Sequence, residues 1–393
     1  MSESVVIVGA KRTPVGAFQG QFAGVTAVQL GSVAIKAAVE QAGVKGEDID
    51  DAVMGCCLMA GLRQAPARQA VLGAGLPTSV PCTTLTKMCG SAQKSIMIGY
   101  DGLLAGSVNI AIAGGMESMT NAPHVLTSAR TGYRLGSGVL HDHMFLDGLE
   151  DAYEPGKLMG AFAELAVDKY GFSREELDAY AVESVTRAQH AVTAGLFSAE
   201  IAPVIVSTRK GDEVHDLDET PMKCDVSKIA KLKPAFKKDG KVTPANSSSI
   251  SDGAAAVVMM RESDALSAGI TPLARIVGHA TFAQEPCWFA TAPVPVFRKL
   301  LAKVGWNVAD VDLWEINEAF AAVTMIALRD LELPHDKVNV NGGACALGHP
   351  IGATGSRILV TLLYALKARG LKRGIAGLCV GGGEATAIAI EVL

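Results

Sequence analysis

The chain has 393 residues, 49% of them apolar and 19% charged, with 42 glycines and a formal net charge of −5. That length suits two or three domains or one duplicated unit, and the balance is that of a small-residue-rich α/β protein with a large core, outside the disordered and fibrous classes. The negative charge argues against a nucleic-acid partner, and no continuous apolar stretch approaches the roughly twenty residues that a membrane span needs.

Residues 5–8 (VVIV) read as a buried strand ending at Gly9; the run is too short for the core of a signal peptide and meets Lys11 and Arg12 at once. The spacing of Leu30, Val33, Ala34, Ala37, Ala38 and Ala42 predicts a helix over 30–42. A short strand over 52–55 and a helix over 66–72 follow, the latter stopped by the turn Gly75-Leu76-Pro77. Residues 85–90 lead into a helix over about 91–104, and 109–113 form a strand ending in Gly114-Gly115-Met116-Glu117-Ser118. From 120 to 249 the character changes: helical stretches (161–169, 174–194) alternate with polar, proline-bearing segments and a lysine cluster between Lys223 and Lys241. This region reads as an insertion rather than sheet core. Buried-strand style resumes over 251–260.

The last third repeats the first in outline. Residues 273–277 echo 5–8, a helix over 295–304 and a strand over 313–316 follow, and the strand opens into Asn317-Glu318-Ala319-Phe320. The stretch 338–357 (VNVNGGACALGHPIGATGSR) has a strand-like approach through Val338 and Val340, then a glycine turn carrying His349, then a helix. It echoes the turn at Cys89 and its helix, just as 374–380 with Gly381-Gly382-Gly383 echoes 109–113 with its own glycines. Duplication of a βαβ-rich half explains this economically, and it would bring the two helix starts, with Cys89 and His349, face to face across a shared axis.

Eight cysteines with no CxxC pairs suit a reducing cytosol and small buried hydrophobes rather than a disulfide or zinc framework, and no metal spacing links the histidines. Cys89 is the exception by position. At a helix N-terminus the free N–H groups and the dipole favour thiolate and depress a reference pKa of about 8.5, so with His349 opposite it forms a nucleophile with a base. Bland readings stand beside this one: a thiol before Gly-Ser or at the end of an apolar strand (Cys379) is commonly structural, and Asn317 could cap the helix starting at Glu318.

Over its whole length the chain resembles the thiolases, and among them the acetyl-CoA acetyltransferase branch. The residues that carry the resemblance are Arg12-Thr13-Pro14-Val15-Gly16, Pro66-Ala67-Arg68-Gln69-Ala70, Cys89-Gly90-Ser91, Gly114-Gly115-Met116-Glu117-Ser118-Met119, Asn317-Glu318-Ala319-Phe320, Gly348-His349-Pro350-Ile351-Gly352 and Cys379-Val380-Gly381-Gly382-Gly383. The resemblance implies an α/β thiolase fold of two duplicated βαβαβαββ halves in a five-layered α-β-α-β-α core. Residues 1–119 and 250–271 would form the amino-terminal half, 120–249 an inserted loop domain that binds CoA, and 272–393 the carboxy-terminal half. It also implies two acetyl-CoA joined into acetoacetyl-CoA and CoA, or the reverse thiolysis, by a ping-pong route with no metal or redox cofactor. Cys89 would be the acylated nucleophile, His349 its base and later an oxyanion donor, and Cys379 the acid/base thiol for the α-proton. Asn317 would orient a water in one oxyanion hole, and the Cys89 and Gly381 N–H groups would form the other.

For the CoA arm and acyl group the resemblance points to Ser248, Phe236, Leu149, Met159, Ala319, Phe320 and Phe289, and for the phosphates to Lys223 or a neighbouring lysine. It further implies a cytoplasmic homotetramer built from tight dimers, with no membrane partner. The chain departs from the family at Leu158-Met159-Gly160, where many members have His-Met-Gly, at Asn246-Ser247-Ser248-Ser249 in place of Asn-Ala-Ser-Gly, and at Phe289-Ala290 in place of Met-Gly. These departures bear on acyl preference. The alternatives are a degradative 3-ketoacyl-CoA thiolase of broader chain length and a non-catalytic acyl-CoA or lipid-binding member of the fold. A dinucleotide-binding oxidoreductase is disfavoured because no GxGxxG follows the first strand.

Overall fold

The computed structural model describes residues 3–393. In the first half β1 (Val5–Arg12), α1 (Ala27–Ala42), β2 (Asp51–Gly55), α2 (Pro66–Gly73), β3 (Cys82–Leu85), α3 (Ser91–Ala105) and β4 (Ile110–Ser118) follow in order. Helices α4 (Met159–Tyr170) and α5 (Arg174–Thr193) lie in the long segment before β5 (Ser251–Arg261). The second half runs β6 (Ala274–Ala283), α6 (Pro293–Val304), β7 (Leu313–Ile316), α7 (Ala321–Asp330), α8 (Thr354–Arg369), β8 (Arg373–Val380) and β9 (Glu384–Val392). The strands assemble in the order β7-β8-β9-β6-β1-β5-β4-β2-β3. The two half-sheets meet only where Val5 to Ile7 of β1 pair antiparallel with β6.

Burial explains the layering. α3 and α8 share one core with residues of both half-sheets, including Ile7, Val257, Leu378 and Ile388, so they form the middle layer. α1 and α2 cover the outer face of the first half-sheet, and α6 and α7 that of the second. The result is a five-layered α-β-α-β-α core, the architecture that the resemblance implies. A Cβ on Gly355 would lie 2.5 Å from the backbone nitrogen of Gln93, so the first turns of α8 and α3 cross in backbone contact. That crossing brings the Cys89 and His349 turns to one place. The duplication extends to detail: the first strand of each half carries a bulge, between Ile7 and Gly9 and between Ile276 and Gly278.

Several elements differ from the sequence reading. β1 continues past Gly9 to Arg12, and β6 reaches Ala283. β3 is an additional strand, short and partly exposed. β4 passes straight through Gly114 and Gly115; a Cβ on Gly115 would collide with the Gly352 carbonyl oxygen, so the glycine admits the neighbouring turn rather than making one. Residues 338–340 are not a strand. Only Val338 bridges Trp314, because Asn339 turns to φ 48° and its side chain takes over the pairing, accepting from Ile316 N at 2.8 Å and donating to Ile316 O at 2.8 Å. Among the described residues, no named strand between 120 and 249 joins the main sheet; two separate two-stranded ribbons lie there instead.

Candidate active site

Cys89 sits just before α3, whose N-cap is Gly90. The turn is held from below: Ser91 Oγ accepts from Lys87 N at 2.8 Å and donates to Met88 O at 2.6 Å. Met88 is forced to φ 46°, a conformation that costs a non-glycine residue energy and aims the next side chain away from the sheet. Burial pushes the Cys89 thiol up to about 11, opposed by two backbone N–H groups, those of Gly381 and of Cys89 itself. The lowering expected from the helix terminus therefore loses to desolvation, and Cys89 rests as a thiol that needs a base.

His349, which lines one cavity with Cys89, is the candidate. Its ring lies in the turn before α8, and His349 N donates to Ser249 O at 3.1 Å. Nδ1 is 2.6 Å from Thr354 Oγ. The Thr354 hydroxyl proton goes to Pro350 O at 2.9 Å, so Oγ accepts and Nδ1 carries the hydrogen. The lone pair is then on Nε2, a buried atom with no hydrogen-bond partner among the described residues. Burial, with the Arg357 guanidinium second, holds the ring down to about 3, so it is neutral at physiological pH. A neutral imidazole and a neutral thiol transfer a proton only when charge develops on a bound ligand. Thr354 was not among the residues singled out by sequence; its only signal is a hydroxyl in the first turn of the helix that follows His349.

Cys379 ends β8 and is fully buried; burial and the facing Cys89 raise its thiol. The next residues turn into β9 through Gly381 to Gly383, which places Gly381 N–H against the Cys89 sulfur. Asn317 is buried, and both side-chain polar atoms lack a partner among the described residues. It is not a helix cap. Ala321 N donates to Asn246 O and Ser248 N to Ala319 O, so 317–320 run extended and α7 begins only at Ala321.

A cavity of about 360 Å³ opens at these groups. Cys89, His349, Cys379 and Gly381 form its end; Asn317 lies outside its lining. Its walls include Ser248, Phe236, Leu149, Met159, Ala319, Phe320 and Phe289, together with Met88, Leu158 and Ile351. Phe320 packs edge-on against both Phe236 and Phe289, each at 6.1 Å between centroids, giving a stiff aromatic side. Leu158 leaves this wall apolar where a histidine would have added a donor. Lys223 stands apart from the cavity, its exposed ammonium paired with Glu219, whose carboxylate also receives the Ala17 and Gln21 N–H groups. Among the described residues no cluster of three His, Cys, Asp or Glu is arranged to hold a metal ion, and no helix is long and apolar enough to cross a membrane.

Known proteins share this architecture and sequence. The models for the thiolase N-terminal domain and the thiolase C-terminal domain match residues 5–263 and 270–392. An acetyl-CoA acetyltransferase of Chromobacterium violaceum is 50% identical over 98% of this chain and 99% of its own length. One from Allochromatium vinosum is 45% identical over the whole of both chains. The crystal structure of the Bacillus anthracis acetyl-CoA acetyltransferase superposes with a TM-score of 0.97 at 41% identity, covering 100% of this chain and 99% of that one. With family models spanning nearly all of the sequence and a fold that coincides, the chain belongs to the thiolase family.

Proposed function

We propose that the protein is an acetyl-CoA acetyltransferase, joining two acetyl-CoA into acetoacetyl-CoA and CoA or running the reverse thiolysis. The observation that carries this is the convergence of the Cys89 sulfur, the unpartnered Nε2 of His349, the Cys379 thiol and the Gly381 N–H at the end of one apolar cavity. His349 takes the Cys89 proton as the sulfur attacks the thioester carbonyl. The C–S bond to CoA breaks, CoA leaves as its thiol with that proton, and an acetyl-Cys89 thioester remains. His349, neutral again, takes the Cys379 proton, and the resulting thiolate removes an α-proton from a second acetyl-CoA. The enolate carbon attacks acetyl-Cys89, and Cys89 leaves and takes the proton held by His349. No electrons are gained or lost, so the sequence calls for no redox or metal cofactor.

Stabilisation of negative charge is divided between two places. The Cys89 and Gly381 N–H groups, both directed at the Cys89 sulfur, support a hole for the tetrahedral oxyanion there. His349, with Asn317 acting through a water, serves the enolate oxygen. Ser248 and the apolar walls would hold the pantetheine arm. The phosphates are better served by Lys231, Lys233 and Lys238, exposed beside the Ala235 and Phe236 wall, than by Lys223, which Glu219 occupies. Eight free cysteines support a reducing compartment such as the cytoplasm, and the exposed Leu126, Leu135, Val139 and Leu140 support a homotetramer.

Phe289 and Phe320 line the cavity packed edge to face, and this bulk supports acetyl and acetoacetyl groups over longer ones. Thiolysis rates across 3-ketoacyl-CoA chain lengths test this. Acetoacetyl-CoA should be preferred over a medium-chain substrate by roughly tenfold or more; equal or higher medium-chain rates would instead assign a degradative 3-ketoacyl-CoA thiolase.

A further inference from the structure

Glu117 lies at the end of β4, completely buried, and no mechanism above uses it. One carboxylate oxygen accepts from Cys57 N at 2.9 Å and Gly352 N at 2.9 Å; the other accepts from Leu58 N at 3.1 Å and faces the Cys56 thiol at 3.6 Å. Two separate chain segments thus hang on one carboxylate. Gly352 belongs to the turn that carries His349. Cys57 belongs to the loop beneath the nucleophile: its Sγ lies 3.3 Å from Met88 O, which it meets as a donor, and 3.4 Å from Ser91 Oγ. Ser91 Oγ in turn fixes Lys87 and Met88. Leu58 and Ile351 close the gap between the segments in a small apolar cluster that Cys89 also touches.

No cation pairs with this carboxylate among the described ion pairs. Burial raises the Glu117 carboxyl and its three backbone donors offset this only in part, so packing alone would be better met by an apolar side chain.

We propose that Glu117 is a positioning residue for the thiolase reaction, locking the His349 turn and the Cys89 turn to a single strand end so that base and nucleophile keep their alignment. The inference rests on the function proposed above. It has a second consequence, because the charge is close enough to act on the thiols: Glu117 is among the causes that raise both Cys57 and Cys89. The titratable groups around Cys89 are Glu117 and Cys57 from below and His349 and Cys379 from the second half.

The test compares full-length wild type, Glu117→Ala and Glu117→Gln in three measurements: acetoacetyl-CoA thiolysis, thermal unfolding, and iodoacetamide alkylation of the Cys89 peptide over roughly pH 6–10. Glu117→Ala should lower kcat by roughly 30-fold or more while KM stays within about threefold. Glu117→Gln keeps an oxygen for Cys57 and Gly352 and should recover roughly threefold of that loss. Both variants should alkylate Cys89 at lower pH than wild type, since the neighbouring negative charge is gone. A kcat within threefold of wild type in folded Glu117→Ala, or a rise in KM with kcat kept, overturns the proposal.

If the alanine variant does not fold, the glutamine variant decides: kcat down roughly tenfold with near-wild-type melting supports the proposal, and unchanged kcat overturns it. Should wild type show no thiolysis at all, the functional reading fails by itself. The alkylation profile then still judges Glu117, a shift supporting it and no shift overturning it.

Discussion

The two halves of the molecule run a matching order of strands and helices, apart from the third strand that Asn339 replaces in the second, down to a bulge in each first strand, and differ where the chemistry lies. In the first half the connection from β4 to β5 spans residues 119–250 and supplies Leu149, Met159, Phe236 and Ser248 to the cavity. In the second half the corresponding connection, from β8 to β9, is three glycines, and it puts a backbone N–H against the nucleophile. On the proposed mechanism the first half therefore contributes the sulfur that is acylated and one side of the walls, Phe289, Ala319 and Phe320 of the second half forming the rest. The other contributes proton transfer and charge stabilisation. A single ancestral unit, doubled, leaves two equivalent helix starts in backbone contact, and each can then be specialised without moving the other.

Cys379→Ser should break this division most visibly. Condensation should fall by at least about a thousandfold while acetyl exchange between CoA and Cys89 stays within about tenfold of wild type, both followed with labelled acetyl-CoA. Equal loss of the two activities would place Cys379 in both steps and erase the distinction.

Thr354→Val sharpens the comparison on the base side. Without the hydroxyl, Nδ1–H has no acceptor and the ring loses its orientation, so kcat should drop by roughly 10- to 100-fold with KM little changed. Wild type has a linked pH signature. His349 is held down to about 3, so lowering the pH from 7 toward 5 leaves it unprotonated, and the acylation rate should show no histidine-like acid limb in that range. An acid limb near 6.5 would mean that burial does not hold the ring neutral.

The smallest effect concerns the third strand of the first half and the segment that stands in its place in the second. Asn339→Ala removes the side chain that pairs with Ile316 and also loses its bond to Glu318 at 2.9 Å, so it should cost about 2–4 kcal/mol in denaturant unfolding. Thr83→Ala in β3, exposed and paired through its own backbone, should cost under about 1 kcal/mol. Equal costs would show that the Asn339 side chain is not standing in for a strand.

Most of the element order was legible because buried strands and one-sided helices leave periodic patterns, and the motifs around Cys89, Asn317, His349 and Cys379 named the family. What the pattern misplaced has local causes. Gly114 and Gly115 read as a turn, yet they lie inside β4; Gly115 makes room for the Gly352 carbonyl, more than two hundred positions away, and Gly114 for the Ala255 carbonyl of β5. Residues 338–340 alternate like a strand, but Asn339 substitutes a side chain for the backbone ladder. The strand β3 has three half-buried residues and one exposed, too little pattern to stand out. At Cys89 the helix terminus was visible and the enclosing walls were not, so the direction of its titration came out reversed. Thr354 and Glu117 act through hydrogen bonds that no spacing announces.

The central claim is that Cys89 carries the acyl group while the second half does the proton chemistry. Brief incubation of wild type with acetoacetyl-CoA, acid quench and peptide mass spectrometry tests it directly. The account predicts one acetyl group on the Cys89 peptide, absent from Cys89→Ser and chased off by added CoA. An unmodified Cys89 peptide in protein that is turning over, or an acetyl group on the Cys379 peptide instead, would contradict it.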